Sequence, residues 1–157
     1  MRRILKAQNH NLPDYPGLLK KAQKYCAVQE RCRLDVSRKL FQWGASAEIT
    51  EAILIALEKD NFISERRFAC LFARSKMNQN KWGKIKIAAE LYKRKIPESI
   101  VKEAIGEIDE EQYRKNFSTL SQTKLKQLRD DDAAIRKQKM MAYMASRGYE
   151  LDLFDEW

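Results

Sequence analysis

The sequence predicts an all-α protein, three tandem three-helix repeats in an elongated, curved array. Three observations carry this expectation. Apolar residues recur at spacings of three and four along most of the chain. Only five Gly and three Pro interrupt 157 residues. The segments also align with one another at intervals of about fifty residues, the mark of a repeat architecture. Alternating strand patterns of any length are absent. With 44% hydrophobic and 34% charged residues, the composition is globular rather than disordered.

Residues 1–15 carry Asn9, Asn11, Pro13 and Asp14 among few apolar positions, which reads as a flexible N-terminal tail. The first repeat is expected at 16–61. Pro16 suits a first helical turn, and Leu18, Ala22, Tyr25 and Cys26 form the first apolar stripe. Val36, Leu40 and Trp43 mark a second helix, with Gly44 placed to stop it in a left-handed cap. Ser46 caps a third, whose stripe is Ile49, Ile53, Ala56 and Leu57.

The second repeat, 62–108, follows the same plan. Phe68, Leu71 and Phe72 mark its first helix, Ile87 and Leu91 its second. Ile100, Ala104, Ile105 and Ile108 mark the third, which Pro97 opens at the first turn. In the third repeat, 109–157, Asp109 and Gln112 resemble a capping box before Tyr113, Phe117 and Leu120. Asp130, Asp131 and Asp132 supply negative charge at the start of the next helix, which runs through Met140 and Met144 to a stop at Gly148. A short terminal helix presents Leu153, Phe154 and Trp157.

A shift of 51 residues places Leu40 on Leu91, Gly44 on Lys95, Ile49 on Ile100 and Ile53 on Ala104; a further 53 reaches Met144, Gly148, Leu153 and Trp157. The stretches ending at Gly44, Lys95 and Gly148 thus share one role, the end of a middle helix. A unit of about 50 residues buries little by itself, so stacked neighbours must share a core.

Enzymatic chemistry finds little support. His10 is the sole histidine and falls in the expected tail, which ill suits a Ser-His-Asp or Cys-His arrangement. Gly83-Lys84 lacks the upstream glycine loop and following Ser or Thr of a phosphate cradle. The aspartates at 130–132 lack calcium-loop spacing and are better explained as a helix start. No catalytic residue, metal site or cofactor is expected. Cys26, Cys32 and Cys70 fit no paired metal spacing and read as reduced thiols. No apolar run approaches the roughly 20 residues of a membrane span, and the opening lacks a signal-peptide core. A cytoplasmic monomer with no membrane partner is expected.

The charge is informative. Thirty-one Lys and Arg against 22 Asp and Glu give +9, which favours polyanionic partners. Between Arg66 and Lys95 stand ten basic residues and one acid, Glu90, so this window equals the whole formal excess. The candidate contact residues are Arg66, Arg67, Arg74, Lys81, Trp82, Lys84, Lys86, Lys93 and Arg94. At 100 degrees per residue, Ile87, Ala88 and Leu91 form the inward arc of their helix, and Lys86 and Lys93 point away from it. Trp82 either stacks on a base or pins its loop to the core. Arg67 has three open roles: capping carbonyls, pairing with Glu65, or reaching a partner. The plain alternative for every cation is a solvated helix face.

Arg31-Cys32-Arg33-Leu34-Asp35-Val36-Ser37-Arg38-Lys39-Leu40 with Trp43-Gly44 resembles the opening pattern of the RecX family. Asn61 through Ala69 resembles its aromatic, aliphatic, acidic, Arg-Phe-Ala signature. Trp82-Gly83-Lys84-Ile85-Lys86-Ile87 through Leu91, Lys95, Ile96 and Pro97 resembles its Gly-basic-Ile helix ending before proline, and Arg136-Lys137 through Tyr149 also fits. Cys32, Asp35 and Ser64-Glu65 are mild departures. The resemblance runs from about residue 17 to the end. It implies three repeats of three helices and a regulator that binds the RecA nucleoprotein filament along its groove. Such a regulator restrains filament extension, ATP hydrolysis, strand exchange and the co-protease role in the SOS response, with direct contact to single- or double-stranded DNA in some members. A general nucleic-acid-binding helical module is the alternative reading.

Overall fold

The computed structural model describes residues 14–156. The expected tail, with His10, and the terminal Trp157 lie outside the described residues, apart from Asp14 and Tyr15. Tyr15 begins the first helix and is buried. In chain order the helices are α1 (Tyr15–Val28), α2 (Arg33–Gln42), α3 (Ala47–Lys59), α4 (Glu65–Asn80), α5 (Lys84–Lys93), α6 (Glu98–Gly106), α7 (Glu110–Gln127) and α8 (Ala133–Ser146). A 3-10 helix, Leu151–Glu156, follows them. No strand occurs among the described residues. The architecture is all-α, with three successive three-helix sets.

The described residues pack as two compact units, divided between Phe68 and Ala69. In the first, Leu18, Ala22 and Cys26 of α1, Val36 and Leu40 of α2 and Ile49, Ile53 and Leu57 of α3 share one core with Ile63. The Ser46 hydroxyl accepts the Ile49 N–H at 3.2 Å, the expected cap of α3. Arg33 pairs with Glu58 and with Glu51, and its N–H donates to the Glu65 carboxylate at 2.8 Å.

In the second unit the buried face of α4 is Ala69, Ala73 and Met77, and Leu71 is exposed. Small residues set that face, so the bulky Leu71 and Phe72 misplace it when periodicity is read by size. Ile87 and Leu91 of α5, Val101 and Ala104 of α6, Tyr113 and Phe117 of α7, and Met140 and Met144 of α8 supply the rest of the buried apolar set. Asp109 Oδ1 accepts the Gln112 N–H at 2.9 Å, but the Gln112 side chain turns to Asn116, so the capping box is only half made. Buried Asn116 donates in turn to the Met77 carbonyl at 2.9 Å. Asp132 caps α8 through the Ala134 N–H, and Asp131 pairs with Lys139. Pro97 sits at the N-cap of α6, one position earlier than expected.

The middle helices α2, α5 and α8 end alike. Gly44, Lys95 and Gly148 are all left-handed, at φ +82°, +59° and +90°. The N–H groups of Ala45, Ile96 and Tyr149 donate back to the carbonyls of Leu40, Leu91 and Met144, at 3.0, 3.2 and 3.1 Å. These six-to-one bonds are the Schellman closure, with an apolar residue after the turn packed towards the one it bonds. The 51 and 53 residue shifts thus mark the same backbone event three times.

Gly148 has a second role. Gly83 donates its N–H to the Arg147 carbonyl at 2.8 Å, and Ile85 donates to the Gly148 carbonyl at 2.9 Å. A Cβ on Gly83 would lie 2.1 Å from the Gly148 carbonyl carbon, and one on Gly148 would lie 2.3 Å from the Lys86 Cβ. Backbone meets backbone here, with no room for a methyl group. The start of α5 is thereby locked to the end of α8.

Candidate polyanion-binding surface

Arg66 and Arg67 belong to the first unit. Arg66 is exposed on the first turn of α4. Arg67 is engaged internally: its Nε reaches Glu30 at 2.5 Å, and its guanidinium donates to the Asn61 and Phe62 carbonyls at 3.1 and 3.4 Å. Carbonyl capping is therefore the role realised, and the acid it meets is Glu30 rather than Glu65.

In the second unit the basic residues gather on two aromatic rings. Phe72 of α4 and Trp82, in the loop before α5, meet edge to face with centroids 6.4 Å apart. The Lys76 and Lys86 ammonium groups stand 4.9 and 4.5 Å from the Trp82 centroid, and the Arg94 guanidinium lies 4.8 Å from that of Phe72. All three distances fall within the range of cation–π attraction. No carboxylate among the described residues forms an ion pair with Lys76 or Lys86. Trp82 packs against its own protein and remains half-buried, so packing is realised and one ring is still partly open.

The only acid of the window lies beside this cluster. Lys93 donates to Glu90 at 3.0 Å, and Arg94 donates to the Glu90 carbonyl and carboxylate at 3.2 and 3.4 Å. The hydrogen bond from Lys93, with the charges of Lys93 and Arg94, holds the Glu90 carboxyl below its usual range. Lys93 is the most open of these cations, its side chain 72% exposed.

Three candidates are placed differently from a simple helical projection. Lys86 does not stand clear of the protein: its backbone and Cβ abut Gly148 and its ammonium lies over Trp82. An isolated helical wheel cannot register the segment around Gly148 that covers that side of α5. Lys84 pairs with Glu110 and lies 4.7 Å over the Tyr113 ring. Its N–H donates to the Tyr113 hydroxyl at 2.9 Å, and that hydroxyl donates to Glu150 at 2.9 Å. Burial, reinforced by Glu150, pushes the Tyr113 hydroxyl well above the usual tyrosine range, which keeps it a donor. Lys81 is half-buried at φ +52°, and its carbonyl accepts the Tyr149 hydroxyl at 2.8 Å.

Arg74 is exposed and lines a cavity of about 380 Å³ with Cys70, Met77, Asn78, Glu107 and Asp109. Among the described residues no group of three or more His, Cys, Asp or Glu is placed to hold a metal ion. No described helix is long and apolar enough to cross a membrane.

The family model described as RecX, second three-helix domain, matches residues 64–105, the stretch that holds α4, α5 and α6. The Regulatory protein RecX of Pelodictyon phaeoclathratiforme is 29% identical over 135 residues, covering 86% of this chain and 82% of that protein. That of Prosthecochloris aestuarii is 28% identical, covering 87% and 88%. The chain is thus similar to RecX proteins over most of its length, and its second helical set matches their family model. Two solved structures share its fold. One, a crystal structure of regulatory protein RecX, has a TM-score of 0.85 at 20% identity, over 91% of this chain and 72% of the other. The second, RecX from Lactobacillus salivarius, has a TM-score of 0.83 at 21% identity, over 91% and 93%.

The sequence places Lys76 in the basic window without marking it as a contact, and it offers Phe72 as part of an apolar stripe. Their spacing of four residues on α4 is the available signal, since such residues share a helix face. Nothing local in the sequence announces that Trp82, Lys86 and Arg94 join them.

Proposed function

We propose that this chain binds the RecA nucleoprotein filament and restrains its extension, and with it ATP hydrolysis, strand exchange and co-protease activity. The observation that carries the reading is the match of regulatory RecX proteins over 82% to 88% of their own length, across all three helical sets. Those relatives are named as regulators, and the surface described above supplies a means of approach to a polyanion-containing target. Lys93 and Arg74 are open to a partner, and Lys76 and Lys86 stand over aromatic rings from which phosphates can draw them.

The mechanism is occlusion. A helical array lying in the filament groove and touching more than one subunit gains effective concentration, so modest contacts add up to firm attachment. Its hindrance of the filament is then a binding effect without bond chemistry. The three sets at 16–61, 62–108 and 109–157 act as successive binding modules, with the basic middle one nearest the phosphates.

The test adds the protein in substoichiometric amounts to RecA filaments on single-stranded DNA and follows ATP hydrolysis. A progressive fall is expected. Unchanged hydrolysis at every ratio, beside tight salt-sensitive binding to bare DNA, would replace this reading with the general nucleic-acid module. That second reading is favoured by one feature, the pairing of a half-open tryptophan with unneutralised lysines, a combination suited to single strands.

A further inference from the structure

We infer that the first unit carries its own single-stranded nucleic-acid site, in which Trp43 stacks on a base while Lys21 and Lys39 take the adjoining phosphates. Trp43, at the C-cap of α2, is half-buried and meets Tyr25 of α1 edge to face, centroids 6.1 Å apart. The Arg31 guanidinium lies 3.9 Å from the Tyr25 centroid and covers that ring. Lys21 and Lys39 stand further off, 5.6 and 5.8 Å from the Trp43 centroid. Those distances lie at the outer edge of cation–π contact, where the attraction holds a lysine nearby without sealing the ring. Tyr25 is thus the fixed support, and Trp43 is the face left for a ligand.

The charge state of this cluster is its second peculiarity. Charge counting marks residues 16–61 only weakly, with eight basic residues against six acids. The structure shows where several of those acids are spent: Glu51 and Glu58 on Arg33, and Glu30 on Arg67. Among the described residues, no carboxylate forms an ion pair with Lys21, Arg31 or Lys39. Exposed Lys20 and Lys24 add further positive charge on α1. Packing needs the two rings but not three unneutralised cations gathered on them, which repel one another. A polyanion relieves that repulsion, and a polyanion bearing planar bases also uses the ring.

The repeat register sharpens the inference. The 51-residue shift carries Lys21, Tyr25, Arg31 and Trp43 onto Phe72, Lys76, Trp82 and Arg94. Those four positions, together with Lys86, build the cluster of the second unit, with cation and aromatic exchanged at each of the four, whereas Lys39 falls on Glu90. What recurs is the pairing of ring and cation rather than any residue type. The first-unit cluster therefore shares the ring-and-cation pairing of the second at four positions while lying outside the basic window.

The test uses the full chain carrying Trp82→Phe and Trp157→Phe, so that Trp43 alone reports by its emission and binding elsewhere is silent. Oligothymidylate is added at low salt, with total binding followed by anisotropy of a labelled strand. Quenching of Trp43 that saturates with binding is expected. Lys21→Glu with Lys39→Glu should abolish the quench at unchanged helical content, and Trp43→Leu should weaken the binding read by strand anisotropy about fivefold or more, the scale of one base stack. Binding without quenching overturns the proposal, as does a quench indifferent to the charge reversals. Equal quenching by polyphosphate or polyglutamate assigns the surface to a generic polyanion or an acidic protein and overturns it too. No recombinase is present, so the outcome is independent of the filament reading.

Discussion

Glu90 is where one side chain regulates the charge of its neighbours. It is the sole acid between residues 66 and 95 and is held by Lys93 and Arg94. Its depressed titration means that the ion pairs are fully formed above the ordinary glutamate range and are lost as pH falls through the lowered folded value. Glu90→Gln releases both cations at every pH. Polyanion affinity measured at low salt should rise several-fold, and the log-log salt dependence should steepen by about 0.7 to 0.9 for each further phosphate neutralised. An affinity that falls would show Glu90 to be the positioning group for Arg94 rather than its competitor. Cys32 is the opposite case: fully buried, its thiol is pushed up to about 12, chiefly by burial. At neutral pH it is a packing atom without nucleophilic character.

At the scale of elements, the helix ends carry the specificity. Lys95 holds a left-handed conformation that its counterparts Gly44 and Gly148 adopt as glycines. Removing the Cβ relieves a cost of about 1 kcal/mol. Lys95→Gly is therefore expected to raise the denaturation midpoint of the second unit by a corresponding amount. The Gly83 and Gly148 pair predicts the reverse. Gly83→Ala forces a Cβ into a carbonyl group that cannot retreat without breaking the bonds to Arg147 and Gly148. We expect a loss of about 3 kcal/mol or more, read by urea unfolding, with the second unit affected first. A neutral Gly83→Ala would mean that α5 and α8 are not locked together in solution. The helices themselves are legible in the sequence because amphipathic spacing and caps such as Ser46 and Asp132 are local. The buried face of α4 is only partly legible: Phe68 marks it, but Ala69 and Ala73 complete it where the bulkier Leu71 is expected.

For the whole molecule, net charge is a poor guide to where a partner sits. The basic window accounts for the formal excess, yet Lys84 and Arg67 inside it are spent on Glu110 and Glu30. Lys21 and Lys39 outside it meet only rings among the described residues. If the open cations carry the binding, Lys76→Glu with Lys93→Glu should weaken filament engagement and flatten its salt dependence, at unchanged helical content. Lys84→Glu should act mainly through stability, by breaking the Glu110 pair. Comparable loss of binding from both changes, at equal stability, would argue for a diffuse field instead. The amino-acid order is enough to establish an all-helical repeat and its middle-helix stops, because periodicity, capping and the 51-residue register are written along the chain. It cannot show which cations remain available, nor that two glycines 65 positions apart interlock. Ion pairs, ring contacts and backbone clearances join residues far apart in sequence, and they exist only once the helices have packed.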